Sequence, residues 1–446
     1  MKIVIAGAGD MGFHLGKLLA NEQHDIVLID SSQDVLDYAA THIDVKTIRG
    51  DSSSLSILTQ ANVDKADLFL AVTTSEKNNI VSGIIAKKMG AKQTIARIKN
   101  EEYLCGEQKE SFRELGIDKL ISPVQLASQE VERLVELSEA TDHFEFEEGM
   151  ISVIGITLDD SSSLINRSLT ELKNMHPNLA ARPIAILRGN ETILPRGRHL
   201  LKRNDHIYFI VKRDEKETLI KVLGKELHKI KKIMVIGGTE LGVSIAKRLE
   251  NKYNVVIVER DKHTCKDLID QLDDALVIKG DPSNQEILHE EGLQEMDAFI
   301  AVTPNSETNI LTSLLAEQEG VFKTIALVDN TDYTHISQNI GIDTLINKKL
   351  IAANNIFRYV RKGKIEAITS LHGVNAEIIE FVVHKNNRLT RAKLRDLHFP
   401  QSAIIGGVIR GDQSLIPDGD FQLQVDDKVI VFSMPESISR VEEMFR

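Results

Sequence analysis

Cysteine is nearly absent. Cys105 and Cys265 are the only two in 446 residues. They are too few for a disulfide framework in a chain of this size, so a reducing cytoplasm is expected. Long apolar runs are also missing, since no stretch approaches the roughly 18 consecutive apolar residues needed to cross a bilayer. The apolar run at the start is interrupted by Gly7, Gly9, Asp10 and Gly12, so a secretory leader is not expected. Positive charge is in deficit. The formal net charge is −12, with acidic and basic residues interleaved, which argues against nucleic acid, because phosphates demand a basic surface or stripe. Any membrane association is then expected to run through a partner protein. Zinc-spaced Cys/His clusters and a G-x-S-x-G elbow are absent as well, which removes the commonest structural-zinc and serine-hydrolase readings.

What is present is written twice. The apolar and charged fractions, 42% and 27%, are ordinary for a globular chain, and the length suggests about three domains. KIVIAGAGDMG at residues 2–12 returns as KIMVIGGTELG at 232–242. IRGD ending at Asp51 returns as IKGD ending at Asp281, and LFLAVTTSEKNNI ending at Ile80 returns as AFIAVTPNSETNI ending at Ile310. The spacing across these blocks is constant at 230 residues. GIDKLI ending at Ile121 and GIDTLI ending at Ile346 repeat slightly out of phase, and ILPRGRHLLKRNDHIYFI ending at Ile210 matches LIPDGDFQLQVDDKVIVF ending at Phe432. A period this long marks a duplication of a pair of domains rather than a solenoid.

Within the first copy, KIVIAG, DIVLID, KTIRG, LFLAV, QTIARI and KLIS are short continuous apolar runs. Such runs suit strands buried on both faces of a parallel sheet. Met11, Leu15, Leu18 and Leu19 fall on one helical face between the first two runs. The fold class is therefore α/β, with two Rossmann-like doubly wound parallel-sheet domains, each followed by a small α+β domain. The expected boundaries are 1–122 and 230–347 for the large domains. Residues 123–225 and 348–446 each hold a bridging helix and a small domain. Hairpin turns are expected at Gly189-Asn190 and Gly411-Asp412. The charged stretch 212–232 reads as a solvated connecting helix. SPVQLASQEVERLVELSE and KLIAANNIFRYVRKGKIEAI read as bridging helices.

The first loop, Gly7-Ala8-Gly9-Asp10-Met11-Gly12, fits a dinucleotide fingerprint. Gly7 permits a tight turn, Gly9 lets backbone approach a pyrophosphate, and Gly12 allows close helix–strand packing. The helix N-terminus adds unpaired N–H groups and partial positive charge. Asp30 ends the second run, where an acid can accept both ribose hydroxyls of NAD and repel the 2′-phosphate of NADP. Asp51 and Ser52 stand where an adenine edge is within reach. Thr73 and Thr74 close the fourth run and offer a hydroxyl and an N–H towards phosphate or ribose. Arg97 ends the fifth, with planar donors for phosphate oxygens or, equally, as a solvated strand residue. A glycine turn without ligand remains the alternative for the loop as a whole.

With AGAGDMG, GD at Gly50-Asp51, AVTTSEKNN and ARIKN assembled, the chain resembles the TrkA family along essentially its full length. These are cytosolic regulatory subunits of bacterial Trk potassium uptake systems, built from RCK (also called KTN) domains. The resemblance implies a non-enzymatic regulator binding NAD or NADH, with ATP or ADP in related members. It further implies a peripheral position on the inner face of the cell membrane, beneath a potassium channel or transporter subunit. Two units per chain and eight-unit rings in the family imply a homotetramer. Family members that discriminate ATP often carry an arginine in the glycine loop. Asp10 stands here instead, and its charge is expected to repel a γ-phosphate, which favours NAD(H).

An NAD-dependent oxidoreductase is the rival reading. It needs a proton donor or acceptor beside the nicotinamide, yet His176, His199 and His206 show no carboxylate at fixed spacing. A scaffold that no longer binds nucleotide is the third. The second loop is weaker than the first. It reads Gly237-Gly238-Thr239-Glu240-Leu241-Gly242, and Thr239 is expected to crowd a pyrophosphate where Gly9 does not. Pro304 replaces Thr74 and lacks an N–H, and Leu327 replaces Arg97. Glu259 keeps the ribose-type acid and Asp281 the adenine-side turn. Tight binding is expected in the first half, with weak, altered or absent binding in the second.

Overall fold

The computed structural model describes residues 1–20, 24–138, 140–147, 149–159, 162–189, 191–225, 228–329, 342, 344–361, 367–370, 374, 376–384 and 388–445. They form two compact units, Met1–Gln129 with Ile346–Val360, and Glu130–Leu345 with Arg361–Arg446.

In the first unit the six apolar runs are strands β1 (Lys2–Ala6), β2 (Asp25–Asp30), β3 (Lys46–Arg49), β4 (Leu68–Ala71), β5 (Gln93–Arg97) and β6 (Lys119–Ile121). They pair in parallel in the order β3-β2-β1-β4-β5-β6. Ile3, Ile5, Leu68 and Leu70 are fully buried, as are Val4, Ala6, Phe69 and Ala71 on the opposite side of the pleat. Both faces are covered, which explains why the runs are continuous rather than alternating. Strand order reverses between β1 and β4, so their C-terminal ends open the crevice where doubly wound sheets bind ligands. The glycine loop leads from β1 into the helix Asp10–Ala20, whose Met11, Leu15 and Leu19 are buried.

The second unit holds three sheets. β7 (Asp142–Phe146), β8 (Ile151–Thr157), β9 (Ala181–Arg188), β10 (Glu191–Ile193) and β11 (His206–Lys212) form an antiparallel sheet in the order β10-β9-β11-β8-β7. β12 (Lys232–Ile236), β13 (Asn254–Glu259), β14 (Leu276–Lys279), β15 (Ala298–Ala301), β16 (Lys323–Leu327) and β17 (Thr344–Ile346) repeat the first sheet as β14-β13-β12-β15-β16-β17. β18 (Ala367–Ser370), β19 (Glu377–Val382), β20 (Ala403–Arg410), β21 (Gln413–Leu415) and β22 (Lys428–Ser433) form the last antiparallel sheet, β18-β19-β22-β20-β21. The duplication is thus visible as two parallel and two antiparallel sheets.

The two small sheets share one apolar core. Ile184, Tyr208 and Ile210 of the first pack with Ile378, Ile409 and Phe432 of the second. Gly407 lies so close that an added Cβ would meet Ile151 at 2.8 Å. Each small domain also repeats one buried ion pair. Arg188 donates to both oxygens of Asp205 at 2.7 and 2.8 Å, and Arg410 does the same to Asp427 at the same distances. Both aspartates are fully buried. Each also accepts a backbone N–H, from Lys202 and Gln424 respectively, so the bidentate pairs are satisfied rather than stranded.

Several expectations need correction. The stretch 212–232 is not a solvated helix. Its helix spans only Lys216–Val222, and Leu219, Ile220 and Leu223 are fully buried against the first small sheet. The charges fall on the other side of a short amphipathic turn. The second bridging helix is Lys348–Arg361; Ala367–Ser370 is strand β18, and 362–366 lie outside the described residues. The first small sheet begins at Asp142, soon after the bridging helix, where the polar run DHFEF pairs as edge strand β7. Only Phe144 and Phe146 mark its inward face, so the run is too short in apolar residues to announce a strand. The Gly411-Asp412 turn joins β20 to β21, while Asn190 of the other hairpin lies outside the described residues.

Candidate functional site

The three glycines of the first loop stand in different surroundings. Gly7 has φ +103°, and a Cβ there would lie 2.8 Å from the Thr73 nitrogen. A Cβ on Gly12 would lie 1.8 Å from the Gly7 carbonyl oxygen. Both must be glycine for the chain to pack on itself. Gly9 differs, since nothing lies within 4 Å of a Cβ built on it. The side of the loop that should meet a pyrophosphate is the open one. Ala8 and Met11 are buried and so offer the crevice backbone rather than side chain.

Asp30 holds the loop in place. Its Oδ2 accepts from Ala8 N–H at 2.8 Å and its Oδ1 from Ser32 N–H at 2.9 Å, and each oxygen keeps a lone pair for a hydroxyl. Asp51 accepts from both the N–H and the hydroxyl of Ser53 at 2.8 Å. Those bonds hold its carboxyl below the usual carboxylate range. Ser52 is buried and its Oγ accepts from Asn78 at 3.2 Å.

Sequence reasoning missed Asn79. It is 1% exposed, and its Oδ1 accepts from the Thr73 N–H at 2.9 Å and the Thr73 hydroxyl at 2.6 Å. Its Nδ2 donates to the carbonyls of Thr73 and Arg97 at 3.0 and 2.9 Å. One amide therefore ties the end of β4 to the end of β5. Thr73 is corrected accordingly, because the hydroxyl and N–H it was expected to offer a ligand are committed to Asn79. At the same strand ends Thr74 is exposed and Arg97 half-buried. The only signal in the sequence was the recurrence of NNI and TNI at the same register.

The second loop keeps the frame and changes the open position. Gly237 has φ +102°, and a Cβ on Gly242 would lie 2.1 Å from the Gly237 oxygen. Asn309 repeats all four bonds of Asn79, to Thr303 and to the Leu327 carbonyl. Glu259 accepts from Gly238 and Asp261 N–H at 2.7 Å each, and Asp281 accepts from Ser283 as Asp51 does from Ser53. Thr239 donates its hydroxyl to the Val302 carbonyl at 3.0 Å and accepts from Gly242 N–H at 3.2 Å. It caps the helix Glu240–Leu249 and takes one of the donors that a pyrophosphate would use. Besides the crowding of a pyrophosphate expected of it, Thr239 thus has a capping role. Leu327 and Leu241 are buried, while Pro304 and Glu240 are exposed.

The charge at Asp10 also needs correction. Its carboxylate does not stand alone, because Lys349 Nζ lies 2.7 Å from Oδ2 within the same compact unit. Repulsion of a γ-phosphate by Asp10 is thus offset by an adjacent ammonium. Nor is every histidine without a carboxylate. His206 meets Asp142 at 3.1 Å and the Thr157 hydroxyl at 2.9 Å, contacts made across β7, β8 and β11 that no fixed sequence spacing displays. The Tyr208 hydroxyl donates to the same Asp142 oxygen. His176 caps the helix Leu169–Met175 through its backbone N–H, and His199 Nδ1 accepts from Arg196 N–H. Among the described residues no group of three His, Cys, Asp or Glu could hold a metal ion, and no helix is long and apolar enough to cross a membrane.

Comparison with known proteins agrees with this frame. The TrkA-N domain matches residues 3–123 and 233–348, and the TrkA-C domain matches 153–224 and 378–446. The chain belongs to the TrkA family. A TrkA homolog of the Trk potassium uptake system of Methanosarcina mazei is 32% identical over 455 residues, covering all of both chains. The Halomonas elongata Trk system potassium uptake protein TrkA is 30% identical over 451 residues, covering 100% of this chain and 99% of that one. Among solved structures, the GsuK RCK domain superposes with a TM-score of 0.63 at 14% identity, covering 100% and 94% of the two chains. The GsuK channel bound to NAD gives 0.62, covering 100% and 78%. At this identity the likeness is one of fold.

Proposed function

We propose that this TrkA-family chain is a nucleotide-sensing regulatory subunit that gates a membrane potassium channel or transporter. The observation that carries it is the division of labour among the first-loop glycines. Gly7 and Gly12 are demanded by packing, whereas Gly9 leaves empty space at the start of an amphipathic helix. Backbone donors there face the place for a pyrophosphate. Asp30 would take the adenosine ribose, Asp51 and Ser52 the adenine side, and Thr74 and Arg97 the phosphates. NAD or NADH is the preferred ligand. The fold neighbour GsuK has been solved bound to NAD and, with a TM-score of 0.52, bound to ADP, which supports an adenine nucleotide as the class. Binding would act by linkage: the nucleotide shifts the assembly only as far as its affinity differs between conformations. The assembly is a homotetramer at the cytoplasmic face, and the chain turns over no substrate.

Calorimetric titration of the full chain with NADH tests the reading. Saturable binding is expected, with Asp30→Ala weakening it about tenfold and relaxing discrimination against NADPH. Absence of binding, or steady NADH oxidation with a small carbonyl compound, would overturn it. Light scattering tests the tetramer, and a monomer at all concentrations would remove the ring.

A further inference from the structure

The helix Lys348–Arg361 belongs to the second half of the duplication, yet residues 346–360 lie in the same compact unit as the first Rossmann-like domain. Polar contacts join them. Lys349 Nζ pairs with Asp10 Oδ2 at 2.7 Å. The His14 side chain lies beside that of Asn354, and Lys119 Nζ donates to Asn355 Oδ1 at 3.4 Å. Asp10 and His14 are one helical turn apart on the glycine-loop helix, so one face of that helix meets the linker. Ala352, Ala353 and Ile356 are fully buried, which fixes the linker in place beneath these contacts.

Asp10 directly follows Gly9, so the Lys349 ammonium stands beside the phosphate end of the first loop. The Asp10 side chain is 75% exposed and that of Lys349 27%. Exposed pairs of this kind contribute about 0–1 kcal/mol, so the ammonium can change partner at little cost. A nucleotide phosphate brings more negative charge than one carboxylate, and its oxygens form strong charge-assisted bonds with an ammonium. The second loop has no equivalent. In the register of GIDKLI and GIDTLI, Val124 stands where the second half has Lys349, and Glu240 stands where the first has Asp10.

Resting on the reading of the first cleft as a nucleotide site, we propose that Lys349 is its phosphate-reading residue. The ammonium exchanges Asp10 for nucleotide phosphate oxygens. The first site is therefore completed by the second half of the same chain, and phosphate number is reported to the helix that joins the second pair of domains. Asp10 acts as the competitor that sets how much phosphate charge is needed.

Titration of the full chain with AMP, ADP and ATP, in wild type, Lys349→Gln, Asp10→Asn and the double variant, is the test. Lys349→Gln is expected to leave AMP within about twofold and to weaken ATP about tenfold, with ADP between. Asp10→Asn should tighten ADP and ATP severalfold, and the double variant should lose that gain. Unchanged melting temperatures confirm that these surface substitutions fold. An equal factor for all three nucleotides in Lys349→Gln, or a tightening by Asp10→Asn that persists without Lys349, overturns the proposal while the site reading stands. Failure of wild type to bind any of the three overturns the proposal, whereas the reading of the site falls only if NADH also fails to bind.

Discussion

Gly9 and Thr239 occupy the same register in two loops whose other glycines play identical parts. In the first loop the position is open space; in the second a hydroxyl fills it, caps the helix and bonds the end of β15. Everything needed to fold the loop survived duplication, including the Gly7/Gly12 and Gly237/Gly242 packing and the Asn79 and Asn309 clamps. Among the positions assigned to the ligand, Gly9 becomes Thr239, Thr74 becomes Pro304 and Arg97 becomes Leu327. The difference separates residues the fold requires from residues only a ligand would require. A glycine fingerprint read as one motif hides that distinction.

The largest effect should come from the positions the halves share. Gly12→Ala and Gly242→Ala each force a Cβ into a carbonyl oxygen, at 1.8 and 2.1 Å. Each should destabilise its own Rossmann-like domain by about 3 kcal/mol. Chemical denaturation of the two variants should give similar losses. A large loss in one and none in the other would mean that the loops are not built alike.

Much of this was legible in the sequence because it is local or periodic. Continuous Val, Ile and Leu runs mark strands covered on both faces, and a constant spacing exposes the duplication. Contacts that close over long sequence distances were not legible. Lys349 reaches Asp10 across 339 residues, and His206 reaches Asp142 across 64. The edge strand β7 was easy to pass over because only Phe144 and Phe146 mark its inward face. Residues 212–232 looked solvated because charge outnumbers the three apolar side chains that dock them. Asn79 was in plain view within a repeated phrase, but a lone asparagine in the first turn of a helix carries no periodic signal.

A smaller effect tests whether the small domains are as alike as their loops. Asp205→Ala and Asp427→Ala each take the carboxylate from an arginine and strand one backbone N–H. The arginine side chains are 32% and 30% exposed, so water recovers part of the lost solvation. The cost should be about 2 kcal/mol in each, below that of a wholly buried pair. Because the two sheets share one core, both variants should lower the same unfolding transition. Separate transitions for the two would show that the shared core does not couple them.

The smallest change in stability is expected from exchanging the residues that distinguish the loops. Thr239→Gly removes a cap, which costs about 0.5 kcal/mol when glycine replaces threonine. Gly9→Thr enters open space and can form the same cap, so it should be neutral or slightly stabilising. Ligand binding should respond in the opposite proportion. Gly9→Thr fills the open side and engages a helix-terminal donor, so NADH affinity should fall about tenfold or more without loss of folding. Thr239→Gly should not create a matching site, because Pro304 still lacks an N–H and Leu327 still replaces the arginine. Paired calorimetry and thermal melts on the two variants measure both quantities. Full NADH affinity in Gly9→Thr would show that the open face of the first loop is not where the ligand lies. New NADH binding in Thr239→Gly would reduce the whole difference between the halves to one hydroxyl.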